Sequence, residues 1–193
     1  MKSFPIGYLH KKFEDSQAIL DDYSDVVYYE RGQLNPDQHQ SSLDDRAATY
    51  TLTNVVPEVN EFKAGPWRVY QELIRTRLNN YCHGSAFIVT GVTTRGNTIR
   101  QNNQNRVAIP EELWSAYCCT DYDRNAPFNV RAFFPAYAAI GKNAKDGNDV
   151  VEMTVKELEI LLKDKMNVDK NLQIFYENCI SPSPLPHNLE KAI

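Results

Sequence analysis

Apolar positions change period along the first half of the chain, and the change lays out a strand, a loop, a second strand and a helix. Val26-Val27-Tyr28-Tyr29 is β-prone and leads into Arg31-Gly32. Asn35 to Asp45 carries the Asn-Pro, Ser-Ser and Asp-Asp content of a loop. Ala48 to Thr53 alternates around β-branched and aromatic residues and reads as the second strand of a hairpin. From Pro66 the spacing becomes helical: Trp67, Tyr70, Ile74, Leu78 and Tyr81 share one face, with Arg68, Glu72, Arg75 and Asn79 opposite. Pro66 suits the first turn, where its missing N–H has no helical partner.

The second half is richer in strands. Ala86 to Val92 is a buried-strand run, and Thr93 to Asn105 is rich in Gly, Asn and Gln and reads as loop. Val107 to Pro110 and Trp114 to Thr120 read as two further strands, the first ending at its proline, and Val130 to Ile140 as another. Thr154-Val155-Lys156-Glu157 is a capping box opening a helix with Leu158, Leu161 and Leu162 inward. Residues 1–15 form a polar N-terminal segment and 181–193, opening with Ser181-Pro182-Ser183-Pro184, an extended tail. No repeat or internal break calls for a second domain, so 1–193 reads as one.

Composition narrows the function classes. The chain has 193 residues, 42% of them hydrophobic, and a formal charge of −4. That balance argues against a protein that coats nucleic acid, because phosphate binding rests on clustered Lys and Arg. It leaves room for a nuclease that handles phosphate with a cation and a few local arginines. No run of about 18 apolar residues is present, so nothing in the chain reads as a membrane span. The first residues lack the apolar run of a secretory signal. Cys82, Cys118, Cys119 and Cys179 allow three pairings and fit disulfides or reduced core residues equally well. The absence of CxxC or HxxxH spacing argues against zinc.

Glu30-Arg31-Gly32-Gln33-Leu34-Asn35-Pro36, followed by Ala48 to Pro57 and by Gly65-Pro66-Trp67, resembles the core of the DNA/RNA non-specific endonucleases, in their endonuclease domain-containing 1 branch. The resemblance runs from about Ser16 to Cys179 and takes in Trp114 to Cys119 and Val155 to Leu158. It implies an α+β fold, a ββα-metal (His-Me finger) endonuclease-like domain with a mixed or antiparallel sheet and flanking helices. It also implies a secreted or luminal protein whose relatives carry a signal peptide and extra N-terminal strands, so the chain is expected to begin inside that region. Two disulfides are implied in turn. Cys118 and Cys119 are adjacent and point to opposite faces of a strand, so they take different partners, Cys82 and Cys179.

The same resemblance assigns the chemistry. Phosphodiester hydrolysis needs an activated water, a cation for the pentacovalent phosphate and charge at the leaving oxygen. The family uses the histidine of Asp-Arg-Gly-His as base, an asparagine as ligand to one hydrated Mg²⁺, a helper glutamate one turn after a tryptophan, and an arginine on the phosphate. Here Gln33 stands at the histidine position, and a carboxamide has no useful proton affinity near neutral pH. Lys63 stands at the ligand position, where an ammonium repels Mg²⁺. Asn60 is a metal candidate only through a reshaped loop. Gln71 replaces the helper glutamate, with Glu72 adjacent but about 100° round the helix. Arg31 is either the phosphate contact or a structural partner of Glu30 or Asp45. Asn54 either touches substrate or caps loop backbone. His39, in the loop after Gln33, would serve as base only by swinging inward.

Three readings follow. One is a pseudonuclease that binds nucleic acid, another anion or a protein through Arg31 and Lys63. Another is a Mg²⁺-dependent endonuclease with an altered base, and the third a secreted interaction domain that uses other surface.

Overall fold

β-Branched and aromatic residues alternate with small ones in the stretch that becomes the centre of the molecule. In the computed structural model, which describes residues 16–24, 26–166 and 171–179, this stretch lies within one long strand. The elements are β1 (Tyr29–Gln33), α1 (Leu43–Ala48), β2 (Val55–Val59), α2 (Arg68–Tyr81), β3 (Ala86–Gln101), β4 (Gln104–Cys119), α3 (Phe128–Arg131), β5 (Ala136–Lys142), β6 (Val150–Met153) and α4 (Val155–Met166). β1 and β2 pair antiparallel, from Tyr29 opposite Val59 to Gln33 opposite Val55. The other four strands form a second antiparallel sheet in the order β3-β4-β5-β6. The architecture is α+β, with helices flanking antiparallel sheets, as the resemblance implies.

From Leu113 to Cys119, strand β4 packs against a core on both faces. Leu113, Tyr117 and Cys119 point to one side, where they pack with Phe62, Trp67, Tyr70, Ile74 and Leu78 on and before α2. Ala116 and Cys118 point to the other, against Leu158 and Leu162 of α4 and Phe175. Each large side chain buried this way stabilises the fold by roughly 1.5–3 kcal/mol. The period of two sends the adjacent cysteines apart. Cys119 bonds Cys82 at the end of α2, and Cys118 bonds Cys179 in the C-terminal segment. One disulfide therefore fastens each layer to the same strand. Buried Arg77 adds a polar tie from α2, donating to the Tyr117 hydroxyl at 3.0 Å and to Glu152 of β6 at 2.7 Å.

The helical spacing from Trp67 holds: Trp67, Tyr70, Ile74 and Leu78 are buried, Tyr81 half-buried, and Arg68, Glu72, Arg75 and Asn79 exposed. Pro66 precedes α2 in a wide turn, Lys63–Trp67, broken from helical geometry at Gly65. The capping box is also formed, with Glu157 Oε2 accepting from Thr154 N and Thr154 Oγ1 from Glu157 N.

Several boundaries differ from the sequence reading, each for a local reason. The second hairpin strand is β2, not Ala48 to Thr53. Ala48 ends α1, and Leu52–Asn54 is a single 3₁₀ turn whose Asn54 side chain binds the backbone of Asn35 and Thr49. The loop Asn35 to Asp45 contains a turn at Asp37–His39 and the start of α1, which Ser42 caps. Thr93 to Asn105 is not a loop. β3 continues to Gln101, and only Asn102 and Asn103, at positive φ, make the turn that asparagine tolerates. The strand pair placed at Val107 and Trp114 is one strand, because Pro110 sits at a register shift opposite Thr94, where the ladder asks for no N–H. Val130 to Ile140 splits into the end of α3 and β5 on either side of Pro135, whose bond to Phe134 is cis. The segments 1–15 and 181–193 lie outside the described residues.

The hairpin β1-β2 is docked on the larger sheet by Asn143. Its Oδ1 accepts from Val59 N at 2.7 Å, and its Nδ2 donates to Pro57 O and Pro110 O, both at 3.0 Å. Asn143→Ala leaves three half-buried backbone groups without this partner. The expected cost is about 2–3 kcal/mol in urea unfolding, with faster amide exchange at Val59 than at Leu113.

Candidate functional site

A cleft of about 640 Å³ opens between the hairpin, the loop after β1 and the start of α2. Its wall brings together Arg31, Gln33, Asn60, Lys63 and Gln71 from the sequence reading. Asn54, Glu72 and His39 are not in it: Asn54 and His39 line a neighbouring groove with Ile88 and Thr90.

Gln33 ends β1 with its carboxamide committed at both ends. Nε2 donates to Thr49 Oγ1 at 3.0 Å, and Oε1 accepts from Asp37 N at 3.2 Å. The side chain brackets the loop, and neither amide atom has a lone pair basic enough to take a proton from water. Asn54 is bonded to loop backbone through both amide atoms. Lys63 Nζ lies 2.8 Å from Glu30 Oε2, an exposed pair whose worth is well under about 1 kcal/mol. Arg31 is exposed and makes no ion pair with Glu30, Asp45 or any other side chain among the described residues. Gln71 receives Gln38 Nε2 at 3.4 Å, and its backbone carbonyl is 3.0 Å from His39 Nε2. His39 is held against α2 there, and burial pulls its pKa below the usual imidazole value, leaving it neutral. Glu72 is paired with Arg68 on the helix surface.

The sequence reading missed Glu58. It follows Pro57 on β2, directly opposite Glu30, and its carboxyl lies across Gly32 with only 1% of the residue exposed. A Cβ built on Gly32 would fall 1.9 Å from the carboxyl carbon and Oε1. Gly32 is therefore needed for close approach rather than for a turn. Glu58 Oε1 has no hydrogen-bond partner among the described residues, and the side chain lines the cleft. Burial pushes its carboxyl up to about 8, opposed by the nearby charge of Lys63. A glutamate beside exposed Glu30 looks like surface charge in a sequence. Only the missing side chain at Gly32, opposite the position two residues before it, hinted at what fills the space.

Known proteins resolve what this geometry descends from. Residues 9–174 match the profile of the DNA/RNA non-specific endonuclease family. The chain belongs to that family. Among curated proteins it is similar to the endonuclease domain-containing 1 proteins of Homo sapiens and Mus musculus, at 30% and 29% identity over 165 residues. That stretch is 84% of this chain and 28% of either relative, so the chain spans little more than a quarter of their length. Among solved structures it is similar to a chain of the EndoG/EndoGI complex, at a TM-score of 0.57 and 14% identity. The match covers 85% of this chain and 64% of that one. At that identity the likeness speaks for the fold alone. Nuclease ancestry gives the hairpin, loop and helix their arrangement around the cleft.

The family's fold implies a hydrated Mg²⁺, and the residues at its position do not fit one. Lys63, which the sequence reading sets at the ligand position, presents an ammonium already paired with Glu30. Asn60 opens the short turn Asn60–Phe62, exposed on the wall. Among the described residues no group of three His, Cys, Asp or Glu side chains is placed to hold an ion.

Two outcomes follow from the Gly32–Glu58 contact. Gly32→Ala should cost on the order of 1–3 kcal/mol by overpacking, with much of the loss cancelled in a Gly32→Ala/Glu58→Ala double mutant cycle followed by urea unfolding. The raised carboxyl also sets a sign. The native state holds a proton that the unfolded chain releases near 4.5, so Glu58 favours folding at low pH and loses that contribution as pH rises to about 8. Glu58→Gln should flatten the stability profile between those values and be the more stable protein at pH 9.

Proposed function

We propose that this chain is a nuclease-derived binding domain that takes phosphate groups of nucleic acid into the cleft without hydrolysing them. The observation that carries the reading is the double hydrogen bond of Gln33. The residue read at the base position spends its side chain on holding the loop, and the residue read at the ligand position, on the same wall, carries a cation. What remains of the family's chemistry is charge. Arg31, exposed and without an ion-pair partner among the described residues, supplies the phosphate contact, and Lys63 supplies positive charge in place of the ion. General-base catalysis is worth roughly 10²–10⁴-fold, so loss of the imidazole alone would leave little turnover.

The formal charge of −4 makes this a local interaction rather than a field over the whole surface, and it should be weak and salt-sensitive. Two disulfides are consistent with an extracellular or luminal protein, and we place its function in such an oxidising compartment. A plasmid-degradation assay with Mg²⁺ or Mn²⁺ against EDTA should show no metal-dependent cleavage. Oligonucleotide binding at low salt should weaken in Arg31→Ala, with the slope of log K against log salt falling by about one. Metal-dependent cleavage abolished by Arg31→Ala would sink the proposal.

A further inference from the structure

The cleft holds one group that the phosphate reading does not use. Glu58 is 1% exposed, its Oε1 is unpartnered among the described residues, and the residue lines the wall that also carries Arg31 and Lys63. A buried polar atom without a partner costs about 1–3 kcal/mol, and a ligand atom that pairs with it recovers that cost. We propose that Glu58 is a phosphate-binding residue of the cleft, its carboxyl donating a hydrogen bond to a phosphodiester oxygen held by Arg31 and Lys63. The inference rests on the phosphate-binding reading above and adds to it a donor that exists in only one protonation state.

Two independent features support it. The close approach over Gly32 fixes the carboxyl in place, so the donor is preorganised rather than recruited. Burial also keeps the carboxyl neutral through neutral pH, which makes it a donor rather than a like charge facing phosphate. The charged and titratable groups of the same wall are Glu30 and Arg31 from β1, Asp37 and Tyr50 from the loop, and Lys63 and Arg68 from the turn and α2. With Glu58 neutral, three cations face two carboxylates. Once it ionises the excess is gone. Asp37 is held below the usual carboxylate range, its hydrogen bonds from Tyr50 and Arg46 outweighing desolvation. The hydrogen bond to Asp37 raises Tyr50, keeping it neutral. Neither changes charge across the window in which Glu58 does.

The test is binding of a short oligodeoxyadenylate without terminal phosphates, a ligand whose charge is constant between pH 6.5 and 9.5, followed by fluorescence anisotropy at low salt. Wild-type affinity should fall roughly tenfold or more across that range. Glu58→Gln, which keeps a neutral donor of the same shape, should bind with a nearly flat profile and overtake wild type at pH 9.5. A wild-type profile as flat as that of the variant would overturn the role of Glu58 while leaving the phosphate reading intact. No binding by either protein at pH 6.5 would sink both. Cleavage that rises through pH 8 and is lost in Glu58→Gln would make the carboxyl a base and overturn the inference together with the binding-only reading.

Discussion

Everything in the molecule is hung on a strand that packs against a core on both sides. β4 is fixed by Leu113, Tyr117 and Cys119 toward α2 and by Ala116 and Cys118 toward α4, so a one-residue slip would misplace side chains on both faces. The two disulfides fasten neighbouring residues of that strand to opposite layers, closing loops of 37 and 61 residues. Loop closure of this size constrains the unfolded chain by several kcal/mol in the chain-entropy account. Reduction would therefore loosen both layers at once.

The cleft inherits its precision from that platform in two steps. The aromatic cluster around Phe62, Trp67 and Tyr70 seats the start of α2 on β4, with Phe62 and Trp67 rings 5.5 Å apart. Asn143 then fastens β2 to β4, bonded to Val59 N and Pro57 O on one side and to Pro110 O on the other. Hairpin and helix are placed independently, and the distance between them sets the width of the cleft. A side chain such as Glu58, whose carboxyl must lie over a glycine, can be held without a hydrogen-bond partner only where both walls are fixed in this way.

How much of this was legible in the sequence depended on how local the cause was. The α2 face, the α4 capping box and the divergence of Cys118 from Cys119 follow from periodicity and short-range bonding, and all three are present. The hairpin was read in the right order with the wrong second strand, because the alternation at Ala48 to Thr53 is overridden by Asn54, whose side chain supplies the backbone with partners a strand would otherwise provide. The long β3-β4 ribbon was hidden by Gly96 and Pro110, which sit at register shifts rather than ending the strands. Among site residues, Arg31, Gln33, Asn60, Lys63 and Gln71 share a wall, whereas Asn54 and His39 lie outside it. Asn143 and Glu58 carried no signal of their own. Each matters through a partner more than 25 residues away or across a strand pair.

The substitutions around the cleft are best understood together. A buried carboxyl beside a catalytic imidazole and a bound divalent ion would be drawn toward ionisation, since nearby positive charge favours the anion. With a carboxamide at Gln33 and a single ammonium at Lys63, shared with Glu30, that pull is weak and desolvation prevails. On the proposed reading, the residues that stand in for the family's base and metal ligand also leave Glu58 protonated, and a protonated acid is useful to a phosphate where an ionised one would repel it. If the proposal holds, loss of one chemistry and gain of a hydrogen-bond donor are consequences of a single electrostatic balance, which placing a histidine at Gln33 alone would not reverse while Lys63 remains.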